Sequence, residues 1–139
     1  MTGFVVDASV AVKWVVGEVD SDAAARLLEG EAVLLAPDLL YAEVANALWA
    51  LSRRGDVAEA DVREALAVLA DVPLHIPSSM RQLMPAATRL AHDLDHPVYD
   101  CFYLALAVQQ QYPLLTADRR FQAKVRDHPY LGDHVLHLG

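Results

Sequence analysis

The stretch GFVVDAS, residues 3–9, poses the question on which the fold turns. Phe4, Val5 and Val6 form an apolar run of the kind buried in a sheet, yet the run ends on a carboxylate, Asp7, with the hydroxyl of Ser9 two residues on. An acid at the end of a core strand is costly unless a donor or a cation answers its charge. Near the C-terminus YPLLTAD, residues 112–118, repeats the arrangement: an apolar run closes on Asp118, with the hydroxyl of Thr116 two residues before it.

Working outward, AVLLAP (32–37) reads as another buried strand, PLHIP (73–77) as a further strand candidate and HVLHL (134–138) as a final one. Helices fall between them: SVAVKWVV (9–16), DSDAAARLLEGE (20–31), DLLYAEVANALWALSRRG (38–55), AEADVREALAVLADV (58–72), SMRQLMPAATRLAHDL (79–94) with a kink expected at Pro85, PVYDCFYLALAVQQQ (97–111) and RRFQAKVRDH (119–128). Continuously apolar strands that alternate with helices imply a mainly parallel sheet covered on both faces, a three-layer α/β/α sandwich. With 139 residues and no repeat or linker, residues 1–139 are expected to form a single domain. In such a sheet ligands bind beyond the carboxyl ends of the strands, where Asp7 and Asp118 both fall.

Composition narrows the classes. Hydrophobic residues make up 55% of the chain and the mean hydropathy is +0.22, which excludes a disordered chain. The single cysteine, Cys101, rules out an internal disulfide framework or a CxxC motif and reads as a core side chain. No apolar stretch reaches the roughly 18 residues of a membrane span and no signal-peptide pattern opens the sequence, so a cytoplasmic protein without membrane association is expected. The net charge of −8 does not advertise a nucleic-acid binder, but acids gathered to hold a cation would have the same effect on the total.

Two more acids stand in unexpected places. Glu43 shares a helical stripe with Leu39, Leu40, Ala47 and Ala50, and Asp100 shares one with Leu104, Ala107 and Val108. Each acid has an ordinary reading as well: Asp7 and Asp118 as helix caps, Glu43 as a partner of Arg53, Asp100 as a first-turn acid facing a helix dipole. Together, a set of carboxylates with no Cys/His set and no nucleophile triad suits a hard divalent ion and metal-assisted hydrolysis. Convergence requires the two acid-bearing helices to lie beside the strands that end on Asp7 and Asp118.

The motifs VVDASVAVKW, APDLLYAEVANAL, HPVYDCFYLALA and LLTADRRF, taken as a set, resemble those of PIN domains, and within that superfamily the VapC toxins of bacterial toxin–antitoxin pairs. The resemblance covers essentially the whole chain. It implies an endoribonuclease dependent on Mg²⁺, with Mn²⁺ able to substitute, whose metal-binding and catalytic acids are Asp7, Glu43, Asp100 and Asp118. Ser9 and Thr116 would orient carboxylates or a water, with Asn46, one turn after Glu43, a candidate for the same duty. It also implies an RNA substrate, a cognate antitoxin as inhibitor, and a homodimer. Arg119, Arg120 and Lys13 are candidate substrate contacts, with Arg53, Arg54, Lys124 and Arg126 the other local cations; Arg53 and Arg54 also suit a helix C-terminus, and Trp14 reads equally as base-stacking or core. The six histidines show no ligand spacing and are assigned no chemistry. The competing reading is a non-catalytic PIN-like module that binds RNA or protein. A phosphoryl-accepting receiver domain fits poorly, since no adjacent acidic pair follows the first strand.

Overall fold

The computed structural model describes residues 2–139. Four strands, β1 (Gly3–Val6), β2 (Val33–Leu35), β3 (Leu114–Thr116) and β4 (Val135–His137), form one sheet in the order β2-β1-β3-β4, and every pairing is parallel. Val5 and Val6, Leu34 and Leu35, Leu114 and Leu115 are all buried. Since consecutive strand residues point to opposite faces, helices must cover both sides, which gives the three-layer α/β/α arrangement.

The helices are α1 (Ala8–Val15), α2 (Ser21–Glu29), α3 (Leu39–Arg53), α4 (Glu59–Asp71), α5 (Met80–Leu94), α6 (Val98–Gln110) and α7 (Arg119–Arg126), with a short 3₁₀ turn at Gly132–His134. α1 packs against α2, α3 and α4, whereas α6 packs on β1 and β3 with α5 alongside it. α6 is the central element: Cys101 through Ala107 are buried without interruption, a helix apolar on every side because it is enclosed on every side. Gln111 then takes a left-handed conformation, φ 60°, and turns the chain into β3.

One expectation changes. PLHIP does not form a strand; it contributes one parallel bridge, Leu35 with His75, along the edge of β2. Pro73 and Pro77 have no N–H to donate, so the segment pairs only around His75, whose N–H donates to the Leu34 carbonyl (2.9 Å) and whose carbonyl accepts from Ala36 (3.0 Å). α5 continues through Pro85, and its start is fixed by a reciprocal cap in which Ser79 Oγ accepts from Gln82 N while Gln82 Oε1 accepts from Ser79 N.

The order of strands places a switch point at the centre of the sheet. From β1 the chain first adds β2 on one side, then crosses back to lay β3 on the other, so the carboxyl ends of β1 and β3 stand side by side. Val5 pairs with Leu114 and Val6 with Leu115, which carries Asp7 alongside the end of β3, its N–H donating to the Leu115 carbonyl.

Because Leu104 is wholly enclosed in the central helix, Leu104→Ala is expected to cost about 2–5 kcal/mol in urea unfolding. Val68→Ala, at a half-exposed position on α4, should stay within about 0.5 kcal/mol of the parent. Equal losses at both positions would contradict the enclosure of α6.

Candidate active site

Asp7 lies immediately after β1 and is the N-cap of α1: its Oδ1 accepts from Val10 N (3.3 Å) and from the hydroxyl of Ser9, and only 6% of the residue is exposed. Asp118 is the N-cap of α7, its Oδ1 accepting from Arg120 N (3.0 Å) and Phe121 N (3.1 Å). The ordinary reading of both acids as caps is therefore correct, and it coexists with their shared location. Ser9 binds the two strand ends together. Its oxygen accepts from Ala117 N (2.9 Å) and lies 3.3 Å from Thr116 Oγ1, while the buried Thr116 hydroxyl accepts from Asp118 N (3.0 Å).

The two remaining acids come from helices. Glu43, half-buried on α3, accepts a hydrogen bond on Oε1 from the phenol of Tyr103. Asp100, in the first turn of α6, holds Oδ2 2.6 Å from His96 Nε2. Asp7, Glu43, Asp100 and Asp118 line one cavity of about 220 Å³, together with Ser9 and Tyr103. In each acid these hydrogen bonds fall on a single oxygen. Among the described residues no buried side-chain nitrogen or oxygen lacks a partner, so the second oxygens are reached by solvent rather than sealed in.

The electrostatics reflect crowding of like charges away from water. Burial pushes the Asp7 carboxyl up to about 6 from 3.8, against the hydrogen bonds from Ser9, Thr116 and Val10, and the charge of Asp100 adds to the rise. Glu43 is raised for the same first reason, burial, with Asp100 again adding and the Tyr103 hydrogen bond opposing. The Tyr103 phenol is held above its ordinary range by burial and by Glu43, so it is a donor throughout the working pH range. Cys101, beneath the site, is buried as expected, and burial pushes its thiol up to about 11.

Other expected residues lie elsewhere. Asn46 is exposed and does not line the cavity. Lys13 donates to the Val19 carbonyl (2.7 Å), turned toward the loop before α2. Trp14 is partly buried against the hydrophobic core, with Nε1 donating to the Ala24 carbonyl (2.9 Å). Arg53 sits over the Trp49 ring and Arg54 pairs with Asp56. Arg119 and Arg120 are exposed at the start of α7, and Arg120 lines the cavity next to the acids. His96, assigned no chemistry from its spacing, and Tyr103, not singled out, both hold acids of the site. Tyr103 lies one turn after Asp100 on α6, while His96 precedes the helix and reaches Asp100 from the loop before Pro97, so only Tyr103 carried a helical-spacing signal.

The PIN domain profile matches residues 4–126. The chain belongs to the PIN domain family, as a VapC-type member. It is 36% identical over 120 residues to Ribonuclease VapC1 of Mycobacterium tuberculosis (strain CDC 1551 / Oshkosh), spanning 86% of this chain and 88% of that protein. It is 37% identical over 124 residues to Ribonuclease VapC3 of Pyrobaculum aerophilum, spanning 86% and 92%. The PIN fold itself is also that of VapBC2 from Rickettsia felis, solved bound to a DNA fragment from their promoter, with a TM-score of 0.68 at 12% identity over 98% of both chains. In this PIN domain the four acids of the cavity occupy the carboxyl side of the β1–β3 switch point.

The raised carboxyl of Asp7 has a consequence for stability. As pH rises from about 4 to about 6 the unfolded chain releases this proton before the folded one, so the stabilising contribution, complete below 3.8, is lost through about 6. Asn also caps helices. In metal-free buffer Asp7→Asn is therefore expected to gain stability relative to the parent between pH 4 and 7, by on the order of 2 kcal/mol, and to gain no more above that. Urea unfolding across this range checks it, and a pH-independent difference would contradict it.

Proposed function

We propose that this PIN domain is an endoribonuclease dependent on Mg²⁺ or Mn²⁺, acting as the toxin of a toxin–antitoxin pair. The observation that carries the reading is the convergence of Asp7, Glu43, Asp100 and Asp118 on one cavity. The names of the relatives, Ribonuclease VapC1 and VapC3, supply the substrate class.

The donor set fits a hard divalent cation, since all four groups are carboxylates and each is fixed through one oxygen. Among the described residues no three His, Cys, Asp or Glu side chains stand together closely enough to hold a metal ion as they are, so an ion here would rest on one or two carboxylates and its own waters. Mg²⁺ keeps several waters and takes one or two carboxylates directly, so an open acidic cavity suits it better than a cage does. Asp7, Asp100 and Asp118 would hold the ion directly or through water, and Glu43 would fix its position. When bound, the metal supplies a Lewis acid and a water acidic enough to attack a phosphodiester.

The chain's own residues orient this set. Ser9 and Thr116 keep the carboxyl ends of β1 and β3 in register, so that Asp7 and Asp118 stay adjacent. Tyr103 holds Glu43, and His96 holds Asp100. Arg119 and Arg120 contact RNA phosphates at the rim, whereas Lys13 is turned to the Val19 carbonyl and lines neither cavity. A cognate antitoxin as inhibitor, a homodimer and a cytoplasmic site of action complete the reading. The structure of Rickettsia felis VapBC2, solved on a fragment of their promoter, supports the idea of a partnered toxin.

The purified chain, incubated with end-labelled total RNA, is expected to give discrete fragments in Mg²⁺ or Mn²⁺ and none in EDTA. Asp100→Asn is expected to reduce cleavage at least about a hundredfold while keeping the parent circular dichroism spectrum. Mn²⁺ should raise the melting temperature of the parent, and raise that of Asp7→Asn less. Cleavage that persists in EDTA or in Asp100→Asn would defeat the proposal, and binding of RNA without cleavage would favour a non-catalytic module.

A further inference from the structure

We propose that a second cavity, beside the acid site and walled by α7, receives an adjacent nucleotide of single-stranded RNA and grips its phosphate with Arg120 and Lys124. The proposal rests on the nuclease reading and adds the path of the strand. This cavity, about 370 Å³, is lined by His96, Pro97, Asp118, Arg120, Phe121 and Lys124. It shares Asp118 with the acid cavity, so the two are contiguous.

Charge decides what it takes. The acid cavity has no Lys or Arg in its lining, so there the protein offers a polyanion no cation of its own. The neighbouring cavity offers two, in a chain whose net charge is −8. RNA therefore has its favourable contact one step to the side of the acids.

The cations are also placed. Lys124 Nζ donates to the Asp95 carbonyl (2.8 Å), which fixes the ammonium between α7 and the end of α5 and leaves two of its three N–H donors for phosphate oxygens. The Arg120 guanidinium makes no hydrogen bond or ion pair among the described residues, while its backbone N–H is bound to Asp118. One wall is rigid, because the His96 ring lies 4.7 Å from the ring of the buried Phe121 and its Nε2 is bound to Asp100.

The cations of the other elements line neither cavity: Lys13 lies at the Val19 carbonyl, Arg53 over Trp49 and Arg54 beside Asp56. The strand therefore leaves the acid cavity over α7, toward the turn between α5 and α6. A pocket of this size takes one unstacked nucleotide, which a duplex does not present.

The test is fluorescence anisotropy of a labelled RNA decanucleotide with the full chain in EDTA, titrated at several salt concentrations. Arg120→Ala and Lys124→Ala are each expected to weaken binding about tenfold and to reduce the slope of log K against log salt by about 0.7, one phosphate contact on a single strand. Arg63→Ala, on the exposed face of α4, should match the parent in both. Parent-like affinity and slope in both cavity variants, with circular dichroism confirming their fold, would overturn the proposal. Cleavage of total RNA in Mg²⁺, assayed in parallel, separates the two failures. No RNA binding in EDTA with cleavage retained overturns the cavity alone, whereas slope changes as expected with no cleavage overturn the nuclease reading and leave a nucleotide-binding cavity.

Discussion

Four carboxylates at the mouth of one small cavity repel one another, and the surrounding structure is arranged to hold them there. Burial is the first cause of the rise of Asp7 to about 6 and of the rise of Glu43, with the charge of Asp100 adding a smaller part to each. Each acid is restrained by a different device: α1 backbone and Ser9 for Asp7, α7 backbone for Asp118, a phenol for Glu43, an imidazole for Asp100.

The sheet makes the arrangement rigid where rigidity matters. Parallel strands buried on both faces leave little freedom at their centre, and Asp7 and the Thr116–Asp118 segment leave that centre side by side. The Ser9 hydroxyl adds a cross-tie between the two strand ends, through Ala117 N. α6, enclosed along seven residues, brings Asp100 and Tyr103 to the same place, so a single buried helix supplies one acid and the clamp of another.

Much of this was legible in the residues. The acids stood out because strand-end and stripe positions are costly for charge, and α6 and the two central strands were plain from their continuous apolar runs. Other features were not. Proline at both ends of 73–77 reduced an apolar strand candidate to one bridge, since pairing depends on N–H groups as much as on apolarity. Trp14 was ambiguous because burial of an indole depends on a neighbour with a free carbonyl, here Ala24, which only the packing of α1 on α2 supplies. His96 was assigned no chemistry because a histidine acquires its role from what lies across the turn, here Asp100 at the start of α6.

The sequence by itself determined the layered α/β class, through periodicity and residue type, and the family, through the resemblance of its motifs, because both are written in local stretches of chain. Tertiary structure decided that the acids share one cavity, which oxygen of each is engaged, and that the cations of α7 rather than those of α1 or α3 line the cavity beside them. Those outcomes depend on the order β2-β1-β3-β4, which sets α3, α6 and α7 around one pair of strand ends, and contact between residues so distant in the chain is fixed by packing alone.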